Sequence, residues 1–252
     1  MRRLVLLIMV IAVVSVFASC SNKSKQLDKE EMKLEFASEY FNFYSENKYK
    51  DHCKKLSEVL EKNHKKITDN LKIQSDEKIN IYVYSDLDSF HEAIGQPNAS
   101  QWMVGAEMGN NVMKMVSPYI DKSKEDYMIK VAIHEFTHVL VRNINKEVVP
   151  NWLNEGIATF EANQMDDSIK KFIKSNQVPK IMDLENMSAQ RFGDNGGYAY
   201  SYSIVEFIIN QYGYDDLVNL IKSPKDFEKI LGLSQDEFQN KWEVYLKSKY
   251  NN

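Results

Sequence analysis

An apolar run from Leu4 to Ala18 opens the chain, preceded by Met1-Arg2-Arg3 and followed by Ser19-Cys20. Beyond a polar stretch, Ser21 to Gln26, the apolar positions recur with recognisable periods. Residues 27–72 read as two helices, with Leu27, Leu34, Tyr40, Phe41 and Tyr44 on the first and Leu56, Val59, Leu60, Ile67 and Leu71 on the second. Lys78-Ile-Asn-Ile-Tyr-Val-Tyr84 alternates and is β-branched or aromatic, which predicts a strand. Asp86 to Ile94 predicts a short helix closed by Gly95, with Pro97 in the following loop. Two more strands, near 101–107 and 111–117, are joined by Gly109-Asn110 turn chemistry and ended by Pro118. From 124 onward the pattern is helical: 124–144, 150–164, 166–175, 197–212, 214–222, 224–231 and 234–248. A small sheet followed by helices is an α+β fold.

Composition narrows the class. With 43% hydrophobic and 27% charged residues, nine Gly and five Pro, the chain can build a sizeable core and is neither collagen-like nor low in complexity. A net charge of −4 gives no general reason to bind nucleic acid. Two cysteines cannot make a disulfide framework. The basic, apolar and small-residue order of the first twenty residues is that of a secretory signal, too short for a confident spanning helix. Ending at Ala18-Ser19-Cys20, it resembles the lipobox of bacterial lipoproteins, although Phe17 stands where an aliphatic residue is usual. That resemblance implies a lipid on the Cys20 thiol, cleavage before it and an extracytoplasmic, membrane-anchored protein. Loss of Arg2 and Arg3 would take the charge from −4 to −6. Cys53 is then the one remaining thiol, read as a half-buried helical bystander.

The chemistry lies in Val131-Ala-Ile-His-Glu-Phe-Thr-His-Val-Leu-Val141. Here His134, Glu135 and His138 form H-E-x-x-H, and positions i and i+4 of a helix share a face. Apolar residues flank them on both sides. Burying two imidazoles and a carboxylate in such a helix is costly unless something satisfies them, and a metal ion does. Neutral imidazoles with a carboxylate suit Zn2+. The metzincin continuation fails, because Val141 and Ile144 occupy the places of its Gly and third His. A second candidate segment, Val149-Pro-Asn-Trp-Leu-Asn-Glu-Gly-Ile-Ala-Thr159, opens a helix at Pro150 and carries Glu155 inside it. Sixteen residues separate His138 from Glu155, enough to end one helix and lay another alongside.

The pair HEFTH and NWLNEGIA resembles the gluzincin metallopeptidases, specifically the peptidase MA-like domains of bacterial envelope proteins. The resemblance implies a thermolysin-like catalytic domain. In it, a small antiparallel or mixed sheet lays its edge strand over the zinc helix, and a mainly helical lobe follows. It implies His134, His138 and Glu155 as zinc ligands and Glu135 as general base. Thermolysin-like relatives often carry an Asp four residues past the glutamate ligand. Thr159 stands there in this chain, with a hydroxyl that could bond an imidazole. Tyr198 and Ser201 match a Y-x-x-S helix start common downstream. Tyr198, with Tyr202 as its substitute four residues on, is the candidate for stabilising the oxyanion, and packing tyrosines are the alternative. Gly105 and Ala106 fall where the edge strand would receive a peptide by strand addition. Trp102 reads as core or cleft wall, and Glu107 as no basis for aminopeptidase specificity.

The organisation implied is a signal peptide over 1–19, a tether over 20–26, a helical preface over 27–76 and a peptidase MA-like domain over 77–252. His52, His64 and His91 read as exposed bystanders. Arg142 reads as a partner for the helix dipole, and Asp166-Asp167 as a helix start. The function expected is a lipid-anchored zinc metallopeptidase acting on peptides or proteins. A zinc-binding scaffold lipoprotein without useful turnover is the alternative.

Overall fold

A computed structural model describes residues 32–45, 49–74, 77–185 and 187–250. The signal and tether readings, Cys20 included, lie outside these residues. Among the described residues, five strands form one mixed sheet: β1 (Lys33–Ala37), β2 (Phe41–Ser45), β3 (Ile79–Tyr84), β4 (Gly105–Glu107) and β5 (Val112–Val116). Their spatial order is β1-β2-β3-β5-β4. The two hairpins, β1–β2 and β4–β5, are antiparallel, whereas β2–β3 and β3–β5 are parallel. Parallel neighbours require crossovers. Helix α1 (Lys50–Leu71) provides the first and α2 (Leu87–Ala93) the second.

The helix expected over the first half of 27–72 is replaced by the β1–β2 hairpin, while α1 matches the second helix. The period decides this. Phe41, Phe43 and Ser45 are buried and Asn42 and Tyr44 are not, a strict alternation that a helix would spread around its axis. On the same face, Ile79, Ile81 and Val83 of β3 and Met113 and Met115 of β5 complete the sheet's buried layer. The strand expected to begin near 101 begins only at Gly105. Gly109, Asn110 and Asn111 all take positive φ, which makes the tight turn into β5.

The helical lobe comprises α3 (Glu125–Ile144), α4 (Asn151–Glu161), α5 (Asp167–Ser175), α6 (Ala189–Asp194), α7 (Gly197–Lys222), α8 (Phe227–Leu231) and α9 (Gln235–Tyr250). α6 is an addition to the helices that the sequence pattern predicts. α7 unites the two segments expected at 197–212 and 214–222, and Gly213 (φ 83°) breaks its helical backbone where they meet. α1 and α3 pack on each other, with α1 also against β2 and α3 against β4 and β5. α4 packs on α7, and Gly156 sets how closely: a Cβ there would stand 2.5 Å from the Ser201 carbonyl oxygen. The buried Glu161 joins three helices, accepting from Asn70 Nδ2 (2.9 Å) and Tyr214 OH (2.9 Å) and pairing with Lys66 Nζ (3.2 Å). No described helix is long and apolar enough to cross a membrane.

Two minor expectations are corrected. His64 and His91 are buried, not exposed. His64 stacks on Tyr40 at 3.6 Å, and His91 Nε2 bonds the Met103 carbonyl at 2.9 Å. His52, half-buried, lies 2.8 Å from Ser117 Oγ. Cys53 is wholly rather than half-buried, with its thiol donating to Ser45 Oγ and pushed up in pKa by burial.

Candidate metal centre

α3 carries Glu125 and Asp126 in its first turn and Arg142 in its last, the orientation its dipole favours. Ala132, Ile133, Phe136, Val139 and Leu140 bury one side of it in the core. The opposite side carries His134, Glu135 and His138 into a cleft of about 930 Å3. The two imidazoles meet edge to face, with their Nε2 atoms 3.0 Å apart. From α4, Glu155 Oε2 comes within 3.2 Å of His134 Nε2 and 3.6 Å of His138 Nε2. One ligand atom from each of the three residues lies within 4.8 Å of the others. The absence of a Cβ at Gly156 lets α4 sit deep enough against α7 to hold Glu155 there.

The far side of each ring decides what these atoms can accept. His134 Nδ1 is 2.9 Å from Gln164 Oε1, and His138 Nδ1 is 3.0 Å from Asn154 Oδ1. An amide oxygen only accepts, so each Nδ1 carries the proton and each Nε2 presents a lone pair. Glu155 Oε2 is buried and has no hydrogen-bond donor. With both rings neutral, the three converging lone-pair atoms are the donor set of a cation, and the set of two imidazoles and a carboxylate is one that zinc accepts.

The charges agree. Burial alone would depress His138, yet the Glu155 carboxylate beside it, with Glu135 and the Asn154 bond, pushes it up to about 9. Burial opposes ionisation of Glu155, but His138 and His134 hold its carboxyl well below the usual range. The two carboxylates therefore favour a positive charge at the paired Nε2 atoms, which a bound cation would supply in place of a proton. Glu135 moves the other way: burial raises it, and the histidines offset this only in part. Its Oε2 accepts the backbone N–H of Glu107 at 3.0 Å.

Among known families, the peptidase MA superfamily matches residues 61–247. That is most of the chain. The chain belongs to the peptidase MA superfamily. No curated protein matches it. The superfamily match begins inside α1, so β1 and β2 lie outside it although they share its sheet. Membership makes this a metallopeptidase-like domain, and the His134–His138–Glu155 cluster is where such a domain could bind its metal.

Within this peptidase MA domain, Tyr198 and Tyr202 both line the cleft but face different charges. Tyr198 is pushed up by burial and then by Glu155 and Glu135. Tyr202 is pushed up to about 12 by burial and then by Glu206, with neither Glu155 nor Glu135 among the causes, and its ring packs on Phe160. Thr159 also lines the cleft, but its hydroxyl donates to the Glu155 carbonyl at 2.7 Å and has no imidazole partner. Gln164 and Asn154 take the role expected of it. Neither is singled out by the sequence pattern: Asn154 is the residue before Glu155 in the same motif, whereas Gln164 lies beyond the α4 C-cap, where Asn163 (φ 50°) turns the chain back.

The edge strand also differs in detail from expectation. Val104, Ala106 and Met108 turn their backbone groups toward β5, as the Val116 N–H to Val104 carbonyl and Met108 N–H to Val112 carbonyl bonds set the register. Gly105 and Glu107, not Ala106, therefore present backbone groups outward. Gly105 lies against Glu135: a Cβ there would be 2.9 Å from Glu135 Cγ. Trp102 lines the cleft, and Arg142 pairs with Glu107 Oε2 at 2.8 Å.

Proposed function

We propose that this protein is a zinc metallopeptidase that hydrolyses peptide bonds of peptides or proteins. The observation that carries the reading is the convergence of His134 Nε2, His138 Nε2 and Glu155 Oε2, with Glu135 held beside them. A zinc ion bound by His134, His138 and Glu155 would supply Lewis acidity to a scissile carbonyl and lower the pKa of water. The residues around it do the rest. The outward backbone groups of Gly105 and the Glu107 carbonyl receive an extended chain by strand addition, the Glu107 N–H being taken by Glu135. The Glu107 N–H fixes one oxygen of Glu135 and leaves the other for a proton. Its raised pKa suits Glu135 to take a proton from attacking water and deliver it to the leaving amine. Tyr198, in the same cleft, is the phenol available to the oxyanion that develops at the carbonyl.

We further propose that the protein is anchored by a lipid on Cys20 at the outer face of a bacterial cytoplasmic membrane. The order of Met1-Arg2-Arg3, the apolar run and Ala18-Ser19-Cys20 supports this. Metabolic labelling with a radioactive fatty acid should tag the protein, and Cys20→Ser should abolish the tag.

The activity is tested with a peptide library, with and without chelator, on the zinc-loaded protein and on Glu135→Gln. Chelator-sensitive cleavage that disappears in Glu135→Gln while zinc stays bound is the expected result. One bound zinc with no cleavage of any peptide would leave the scaffold reading in its place.

A further inference from the structure

The cleft follows α3 for nearly its whole length, from Asp126 and Tyr127 to Arg142 and Asn145. At about 1.5 Å per residue this stretch measures roughly 28 Å, with His134 and His138 near its middle. β4 runs beside it in the same direction. Gly105 lies against Val131 and Glu135, and Glu107 reaches Glu135 and Arg142. Cleft residues toward both ends are open to solvent: Tyr127 is 51% exposed toward one, and Val148 is 90% exposed toward the other. An extended peptide advances about 3.3 Å per residue, so roughly eight residues fit, about four on each side of the metal ligands.

An enzyme that trims chain ends needs a charge beside the scissile bond to fix the terminal amine or carboxylate. The edge strand's acid is Glu107, and both of its oxygens are committed. Oε1 accepts the Gly109 N–H, and Oε2 accepts from Arg142 Nε at 2.8 Å. The same bond offsets the Arg142 cation. Glu135 and Glu155 are occupied by the proton-transfer and metal roles, and the cleft's remaining charged residues, Asp126, Lys130, Lys146, Glu147 and Asp166, lie off the edge strand.

Resting on the peptidase reading above, we propose that the cleft takes an internal stretch of extended polypeptide and hydrolyses an internal bond, while the Glu107–Arg142 pair withholds the edge-strand charges that would fix a chain terminus. Water adds across the C–N bond: its oxygen goes to the carbonyl carbon, a proton goes to the leaving nitrogen, and the products are a carboxylate and an amine.

The test uses one mixture of ten-residue peptides made in two forms, with free termini and with an acetylated amine and amidated carboxylate. The full-length protein is loaded with zinc in detergent micelles, and products are identified by mass spectrometry. Both forms are expected to be cut at the same internal bonds with kcat/KM within about twofold. Cleavage of the free form alone, or release of single terminal residues, overturns internal cleavage and leaves the peptidase reading standing. Cleavage of neither form overturns both. Arg142→Gln frees one oxygen of Glu107, and the ratio of free-form to capped-form rates should rise by about threefold or more. An unchanged ratio overturns the part assigned to the pair, whatever the variant does to the absolute rate.

Discussion

Gln164 Oε1 accepts from His134 Nδ1 at 2.9 Å, from a position nine residues past Glu155 and outside the helix that carries it. The bond fixes the ring's tautomer and aims Nε2 at the cluster. Asn154 does the same for His138 from within α4. Partners of this kind typically govern metal affinity by about 10–100-fold. Gln164→Leu should weaken zinc binding by about that factor with helix content unchanged, measured by competition against a chromophoric chelator. Gln164→Glu, which keeps an acceptor, should bind at least as tightly as the parent. Equal affinity in Gln164→Leu would remove Gln164 from the site.

Gly105 makes room for Glu135. Its absent Cβ would lie 2.9 Å from Glu135 Cγ and 3.0 Å from Val131 Cγ1, and both of those side chains are packed between β4 and α3. Gly105→Ala must displace Glu135, and a shift of about 1 Å in a reacting group can cost about 10²-fold in rate. We expect kcat to fall by about that much at unchanged zinc stoichiometry, because none of the three ligands touches Gly105. Loss of zinc together with activity would point instead to a collapse of α3.

The two tyrosines separate on their surroundings. Tyr198 shares its electrostatic environment with Glu155 and Glu135, and Tyr202 with Glu206, Lys249 and Tyr245. An oxyanion donor removed typically costs about 10²–10³ in kcat. Tyr198→Phe should show a loss of that order with little change in KM, and Tyr202→Phe a loss below about threefold. Steady-state kinetics on one internally quenched peptide distinguishes them. The reverse ranking would move the role to Tyr202.

Much of this was legible because the chemistry sits in short, local patterns. The i, i+4 histidines, Pro150 at the start of α4 and the Gly109-Asn110 turn each announce themselves within a few residues. What failed was either a contest of periods or a contact across space. Phe41-Asn-Phe-Tyr-Ser45 has apolar residues that fit a helix loosely and a strand strictly, and pairing with β3 settles it. His64 sits on a Lys-rich helix that reads as solvated, yet Tyr40 and Phe136 close over it from elements on either side in sequence. Thr159 was expected to reach an imidazole, but a threonine inside a helix has its own carbonyls nearer. Gln164 depends on a left-handed Asn163 that no local pattern marks.

Gly156 tests the packing that seats Glu155. A Cβ there would meet backbone, the Ser201 carbonyl at 2.5 Å, as well as Val205 Cγ2 at 2.7 Å. Backbone of α7 cannot rotate away as a side chain can. Overpacking of this kind costs about 1–3 kcal/mol. Gly156→Ala should lower the urea midpoint accordingly and, by lifting α4, weaken zinc binding as well. Unaltered stability would mean that α4 and α7 can part without cost.

Acid sensitivity should come partly from the helix caps. Asp86 Oδ1 accepts the Ser89 N–H at 2.8 Å, and that bond leads in holding its carboxyl below the usual range. Asp166 is held down first by the Ser168 hydroxyl and then by the Ile169 N–H at 2.9 Å. The folded state thus binds these protons less readily than the unfolded chain. Their stabilisation is fully present above the unfolded Asp pKa of about 4 and is lost as pH falls through that value toward the lower folded one. A double variant, Asp86→Asn and Asp166→Asn, keeps an acceptor at each cap but does not titrate. Urea unfolding should give a stability difference between parent and variant that is constant above about pH 5 and narrows below about pH 4. A difference that stays constant down to about pH 3 would show that these two caps do not couple to protons.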